Sequence, residues 1–528
     1  MDTGRHLDDE IRHIRHPSLS WVPDGSAFAY SRLPDPATVA AGEEGYWETV
    51  WWHVVGDDPA TDERLLGDLE KTALPATTIS VDGRWLVFHV TYMPTRTDVI
   101  LLDRDTGRRT VLVEREDATT WCQVVDDRLY AVTNLDAPRG RVVSADLAAP
   151  QAEHWTTIVP ESSAVIEGAV IAGPRLLVAS AEHAVSRLHQ YALDGGDAEE
   201  VELPELGSIG GFDADPAAER GFFTFTSYAR PSGLWRWTPY EGVEAWTDFP
   251  SPVDADTFAV EQVFYPSTDG TDVPMFLVRA AATTVTPDTP TVLTAYGGFA
   301  ITNAPAYSSA TVAFCEAGGV WAVAGIRGGG EYGEDWHRAG MLANKQQVFD
   351  DFHAAADWLV ADGRTSRDRL AIRGGSNGGL LVGAAVTQRP DLCRAAVCMV
   401  PLLDMLRYHR FLIGALWVPE YGDPDDPEQF RVIAGYSPYH HVADGTAYPA
   451  TLVTTAESDS RVHPLHARKF AARLQAATST PEERPVLVRI ESRAGHGVGK
   501  PAWKQADEAA DILAFVFWQL GMEARRTA

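Results

Sequence analysis

The sequence predicts two domains of different class: an all-β, propeller-like domain over residues 1–255 and a mainly parallel, doubly wound α/β domain over residues 256–528. Three observations carry this. Short β-rich runs broken by Gly, Asp and Pro turns fill the first half. These runs recur with a period of about 40–45 residues, the spacing of propeller blades. From about residue 262 strands and helical patterns alternate instead, which argues for a parallel sheet covered by helices on both faces.

In the first half, LSWVPDGSAFAYSR, ATTISVDGRWLVFHV and TDVILLDRDTGRRTVLV read as strand pairs joined by turns. Successive units begin near Leu19, Ala76, Trp121, Ala164 and Ser208, so five blades are expected. A β-sandwich is the alternative, because its turn spacing overlaps. The tetrapeptide DTGR occurs at residues 2–5 and again at 105–108, where it reads as the turn between two strands of one blade. By that analogy Met1 stands where a strand ends, and the chain is expected to be a shortened version of a longer protein. A small propeller closed by five blades is the competing expectation.

In the second half VPMFLVRA, TVLTAY, VWAVAG, LAIRG, AAVCMV, TLVTTA and VLVRIE read as short buried strands. QVFDDFHAAADWLVADG and PLHARKFAARLQAA read as helices between them, and WKQADEAADILAFVFWQLG as a final amphipathic helix ending at glycine.

Composition narrows the function. With 45% hydrophobic and 22% charged residues, the 528-residue chain has ordinary globular usage. A formal charge of −30 argues against nucleic-acid or anionic-membrane partners, which would repel it. No apolar run approaches the roughly 18 residues of a membrane span, and the acidic N-terminus lacks a signal-peptide core. Cys122, Cys315, Cys393 and Cys398 show no CxxC or Cys/His ligand spacing. They are expected to be reduced, buried thiols in a cytoplasmic protein that holds no metal.

The stretch AIRGGSNGGLLVG, residues 371–383, gathers glycines around Ser376. Strand, tight turn and helix follow one another here, and Gly374, Ser376 and Gly378 satisfy G-x-S-x-G, the nucleophile elbow of α/β-hydrolases. The glycines let strand and helix approach while the serine is held exposed. The backbone N–H of Asn377 then stands at the helix start, ready to donate to an oxyanion. A serine hydroxyl needs a base, and the base an orienting acid, in the chain order Ser, Asp or Glu, His. Asp459, just after the strand TLVTTA, and His496, in a glycine-flanked loop after the last strand, fall where the fold puts them. Glu457 competes with Asp459 but is nearer the strand end. His463 and His466 lie at a helix start and read as surface or capping residues.

GGSNGG, SDSRVHP, AGHGVGKP, AYGGF and IRGGGEYGEDWHRAGMLANKQQVFDDF together resemble the prolyl oligopeptidase family of serine peptidases. The likeness runs through the hydrolase half nearly without gaps and extends to LSWVPDGSAFAY and FFTFTSYARPSGLW in the β-rich half. It implies that Tyr296 donates the second oxyanion hydrogen bond beside Asn377. It implies that Arg461 holds a peptide carbonyl, that Trp417 stacks on the substrate proline, and that Tyr421, Phe299, Leu402 and Val462 line the same pocket. The implied activity is hydrolysis of short peptides on the carboxyl side of proline, through a Ser-Asp-His triad and an acyl-enzyme. No cofactor is implied, short proline-containing peptides are the partners, and a monomer is expected. An esterase or acylaminoacyl-type peptidase of the same fold, and a catalytically silent propeller binding protein, are the rival readings. Three departures stand out. His463 occupies a usually apolar position. The five units compare with seven in the family, so an incomplete seven-bladed propeller is one expectation. The family's N-terminal segment that packs on the hydrolase domain is expected to have no counterpart.

Overall fold

The computed structural model describes residues 7, 9–16, 18–247, 253–497 and 499–523; the DTGR at residues 2–5 lies outside them. Among the described residues the first half forms five four-stranded antiparallel sheets, each built from four strands consecutive in the chain. Their first strands start at Leu19, Leu74, Thr120, Val165 and Ser208, within two residues of the expected unit starts. The turns form as their residues dictate. Asp24 Oδ1 accepts the Ser26 N–H at 2.9 Å, and Asp82 Oδ1 accepts the Arg84 N–H at 3.0 Å, the local side-chain bonding that favours aspartate in turns. The DTGR at 105–108 closes the hairpin between Arg96–Asp103 and Arg109–Val113.

Each sheet packs on the next through its own apolar cluster. Ala29 and Val50 of the first sheet meet Phe88 and Leu102 of the second. Val99 and Leu101 meet Cys122 and Val143 of the third, whose Tyr130 and Val142 meet Ile171 and Leu176 of the fourth. Leu177 and Leu188 then meet Phe223 and Trp237 of the fifth. Sequential face-to-face packing of small sheets is the propeller arrangement and not the two-sheet sandwich. Among the described residues no buried apolar cluster joins the fifth sheet to the first.

The second half forms an eight-stranded sheet in the spatial order Phe258–Pro266, Asp272–Ala280, Val320–Ala324, Thr291–Thr294, Leu370–Gly375, Ala395–Met399, Ala450–Ala456, Val486–Glu491. The first two strands run antiparallel to their neighbours and the rest are parallel. Seven of these strands match the apolar runs of the sequence. The eighth, Phe258–Pro266, was not marked by an apolar run, because this edge strand is only partly buried and carries Glu261 and Gln262. Helices Lys345–Ala361, Asn377–Gln388 and Leu465–Ala477 cover one face through Phe349, Leu380 and Phe470. Ser309–Glu316 and Ala502–Leu520 cover the other through Phe314 and Phe515. The last helix ends at Gly521, whose φ of 63° is the left-handed conformation glycine accepts. All four cysteines are free and buried. No described helix is long and apolar enough to cross a membrane.

The two halves touch through Tyr46 and Arg15. Tyr46, in a loop of the first sheet, is buried in the larger hydrolase core; it donates to Leu412 O at 2.9 Å and accepts the Ala415 N–H at 3.2 Å. Arg15 donates to Ser460 O at 2.7 Å, next to Asp459.

Candidate active site

The strand Leu370–Gly375 delivers Ser376 to a turn and the helix Asn377–Gln388 leaves it. Ser376 sits at φ 58°, ψ −115°, outside the regions a serine ordinarily occupies, and such a residue stores roughly 1–3 kcal/mol of strain. The glycines make this possible. A Cβ on Gly374 would stand 2.1 Å from the Gly378 carbonyl oxygen, so the strand end and helix start could not approach with a larger residue there. The Ser376 N–H is tied to Met399 O on the neighbouring strand at 2.9 Å. The Asn377 N–H lies in the first helical turn, where no intrahelical acceptor exists.

Asp459 follows the strand Ala450–Ala456 and is buried, whereas Glu457 is exposed. Its Oδ1 accepts the backbone N–H groups of Arg461 and Val462, both at 2.9 Å. Its Oδ2 lies 2.6 Å from His496 Nδ1, and His496 Nε2 lies 3.0 Å from Ser376 Oγ. Two neighbouring strands on one side of the elbow strand therefore bring Asp459 and His496 to Ser376 in one hydrogen-bonded chain. The competing histidines cap backbone groups: His463 Nδ1 accepts the Leu465 N–H at 3.1 Å, and His466 Nδ1 accepts those of Leu403 and Asp404 at 3.1 and 3.0 Å. His466 is buried, and burial lowers its pKa to about 4, so it is a neutral acceptor.

Tyr296 faces Ser376. Burial raises its phenol pKa and the Ser376 side chain partly offsets that, so the hydroxyl keeps its proton and can donate. The Asn377 side chain fastens the surroundings: its Nδ2 donates to Tyr296 O at 2.6 Å and its Oδ1 accepts the Tyr421 hydroxyl at 2.8 Å. Tyr421 meets the Phe299 ring edge-on at 5.5 Å. Leu402, Trp417, Tyr421 and Val462 belong to one core cluster, and Phe299 packs against it. Trp417 is 8% exposed, while Leu402 and Val462 are 2% exposed each. Arg461 is exposed beside this group. A separate cavity of about 890 Å³ lies within the propeller, with Ala300, Thr302 and Gly330 on its hydrolase side.

The sequence reading passed over Arg15, the Asn377 carboxamide, and three buried charged side chains that pack beside Phe299 and Tyr421, namely His337, Lys345 and Glu420. A charged residue inside an otherwise apolar helix face, as Lys345 is in KQQVFDDF, was the available signal. His409, Asp423 and Asp425 converge closely enough to hold a cation, but Arg410 already pairs with Asp425 at 2.6 Å, so the charge is met within the protein.

Residues 305–523 match the model of the prolyl oligopeptidase family, and residues 1–247 that of the prolyl oligopeptidase N-terminal beta-propeller domain. The chain is 34% identical to the prolyl endopeptidase of Elizabethkingia meningoseptica, over 99% of this chain and 74% of that one. It is also 34% identical to prolyl oligopeptidase ophP of Omphalotus olearius, over 99% and 72%. A solved structure from a mechanistic analysis of two prolyl endopeptidases superposes with a TM-score of 0.94 at 38% identity, covering 99% of this chain and 77% of that one. Prolyl oligopeptidase B of Galerina marginata, bound to a 25mer macrocyclization substrate, gives 0.91 at 29% identity, covering 98% and 74%. The chain belongs to the prolyl oligopeptidase family of serine peptidases.

Proposed function

We propose that this chain hydrolyses short peptides on the carboxyl side of proline, with Ser376 as nucleophile, His496 as general base and acid, and Asp459 as the residue that holds the imidazole. The observation that carries the reading is the unbroken chain Asp459–His496–Ser376, with contacts of 2.6 and 3.0 Å. Ser376 Oγ attacks the carbonyl carbon as its proton passes to His496 Nε2. Asp459 Oδ2 keeps the remaining N–H on Nδ1 and stabilises the imidazolium. The oxyanion accepts from the Asn377 N–H and the Tyr296 hydroxyl, donors worth a few kcal/mol each in a dry site. His496 then protonates the departing amine, and water, activated by the same imidazole, releases the acyl group from Ser376.

Trp417 stacks on the proline ring, Tyr421 and Phe299 wall it, Leu402 and Val462 support them, and Arg461 holds a peptide carbonyl. The propeller, residues 1–255, covers the site of the hydrolase domain, residues 256–528, and restricts entry to short or flexible chains. The enzyme works as a cytoplasmic monomer without metal or organic cofactor, and its charge of −30 keeps nucleic acid away. Labelling with a fluorophosphonate followed by peptide mass mapping tests the nucleophile. A single adduct on the peptide holding Ser376, absent from Ser376→Ala, is expected; an adduct elsewhere, or none, overturns the assignment.

A further inference from the structure

Beside Phe299 and Tyr421 three charged side chains are almost wholly removed from solvent: His337, Lys345 and Glu420. They come from three segments, the helix Glu334–Arg338, the first residue of the helix Lys345–Ala361, and the short helix Val418–Tyr421. Glu420 Oε2 accepts from His337 Nε2 at 2.8 Å, and Glu420 Oε1 lies 3.3 Å from Lys345 Nζ. The Phe299 N–H also donates to the Glu420 carboxylate. Lys345 Nζ donates to Gly297 O at 2.9 Å and stands 5.2 Å over the Tyr421 ring. His337 Nδ1 is held in turn by Glu334 at 3.3 Å.

The cluster thus grips both segments that serve the substrate. Through Gly297 O and the Phe299 N–H it holds the loop that carries Tyr296 and Phe299. Through Glu420 it holds the helix that carries Tyr421. Asn377 joins the same two segments as well, by Tyr296 O and the Tyr421 hydroxyl. Burying several charges costs stability that well-packed apolar residues would not, and such groups are best attested where they specify one arrangement. Burial alone would raise the Glu420 pKa, but Lys345 and His337 more than offset it, so the carboxylate stays charged.

We propose that Glu420, Lys345 and His337 form a positioning unit whose charges hold the Tyr296 hydroxyl in register with the oxyanion and the Phe299–Tyr421 wall in register with proline. None of the three touches the reacting atoms. The proposal rests on the role given above to Tyr296, and a double-mutant cycle separates the two. The paired substitution Lys345→Met with Glu420→Gln removes both charges at nearly constant volume and leaves His337 with Glu334.

In the otherwise unaltered enzyme this pair is expected to lower kcat on a blocked proline p-nitroanilide by about 10–100-fold, as sub-ångström to 1 Å misplacements do, while thermal unfolding stays cooperative. Combined with Tyr296→Phe, the same pair should cost less than about threefold more in kcat, since the hydroxyl it positions is gone and the Phe299–Tyr421 wall acts on KM for the proline substrate. Lys345→Arg, which keeps the charge, should retain most of the activity. A loss below about threefold in the unaltered enzyme, or an equal loss in both backgrounds, overturns the proposal and leaves the oxyanion reading standing. A Tyr296→Phe variant as active as wild type overturns both. Glu420→Gln alone, which keeps the side-chain shape, runs the same cycle should the paired variant not fold.

Discussion

Replacing Asp459 by asparagine tests the triad in a way the local hydrogen bonds make unusually clear. Oδ1 of Asp459 accepts two backbone N–H groups, from Arg461 and Val462, at 2.9 Å each. An asparagine amide must keep its oxygen there, because its NH₂ cannot face two donors. The NH₂ therefore occupies the Oδ2 position, 2.6 Å from His496 Nδ1 in the native protein. An N–H at that place forces Nδ1 to become the acceptor and moves the ring proton to Nε2, which faces Ser376 Oγ at 3.0 Å. The imidazole then has no lone pair for the serine proton. In serine-protease triads the wrong tautomer costs about ten-thousandfold in kcat, roughly 5.5 kcal/mol of barrier. The near-isosteric change keeps the loop's backbone bonds, so the melting temperature should move by only a few degrees. Steady-state hydrolysis of a blocked proline p-nitroanilide and the rate of fluorophosphonate labelling should fall together. A loss of less than about tenfold with the fold intact would refute the tautomer argument and the role of Asp459 with it.

Three further outcomes follow from the same geometry. Trp417→Ala should lower stability by roughly 3–5 kcal/mol because the ring is also core. Per labelled active site it should also lower the ratio of proline-peptide to p-nitrophenyl ester turnover at least tenfold, by about the 1–3 kcal/mol of a lost pocket contact; an unchanged ratio would make the ring purely structural. Gly374→Ala places a methyl 2.1 Å from the Gly378 carbonyl oxygen, so labelling of Ser376 and the melting temperature should both drop, and a variant indistinguishable from wild type would contradict the close approach. Burial lowers the pKa of His337, but Glu334 and Glu420 outweigh it and raise the value to about 9. A raised histidine stabilises the fold fully below its unfolded value near 6.5 and loses that contribution as pH climbs through the folded value. Urea unfolding should therefore show stability falling between about pH 6.5 and 9, by a few kcal/mol in order of magnitude, with the slope reduced in His337→Gln; identical slopes would contradict the charged state.

The elbow was readable because it is local: strand, glycine-flanked serine and helix lie within thirteen consecutive residues, 371–383, and Gly374, Gly378, Gly379 and Gly383 each stand where a Cβ would come closer than 3.0 Å to a neighbour. The blade starts were readable because Asp–Gly turns and alternating apolar strands carry short-range signals. Asp459 and His496 needed only the order of strands, since each sits in the loop after one. The edge strand Phe258–Pro266 gave little signal because half of its residues face solvent. Lys345, Glu420 and His337 gave less still. Their meaning is a three-body contact among segments about 75–83 residues apart, and a lone lysine at a helix start ordinarily reads as solvated. Arg15 lies 445 residues from the Ser460 carbonyl it meets, so only the docking of the two halves exposes it. Trp417 and its neighbours read equally well as core, and in the folded chain they serve as core as well.

The most direct measurement of the central claim is kcat/KM for a matched pair of blocked dipeptide p-nitroanilides, one with proline and one with alanine before the scissile bond, for the wild-type protein and for Ser376→Ala. A pocket built from Trp417, Tyr421 and Phe299 around a proline ring predicts that proline exceeds alanine by at least about a hundredfold, from two or more pocket contacts of 1–3 kcal/mol. Loss of the nucleophile should erase both activities by at least about ten-thousandfold. Comparable turnover of the two substrates would contradict proline specificity, and activity surviving in Ser376→Ala would contradict the catalytic chain itself.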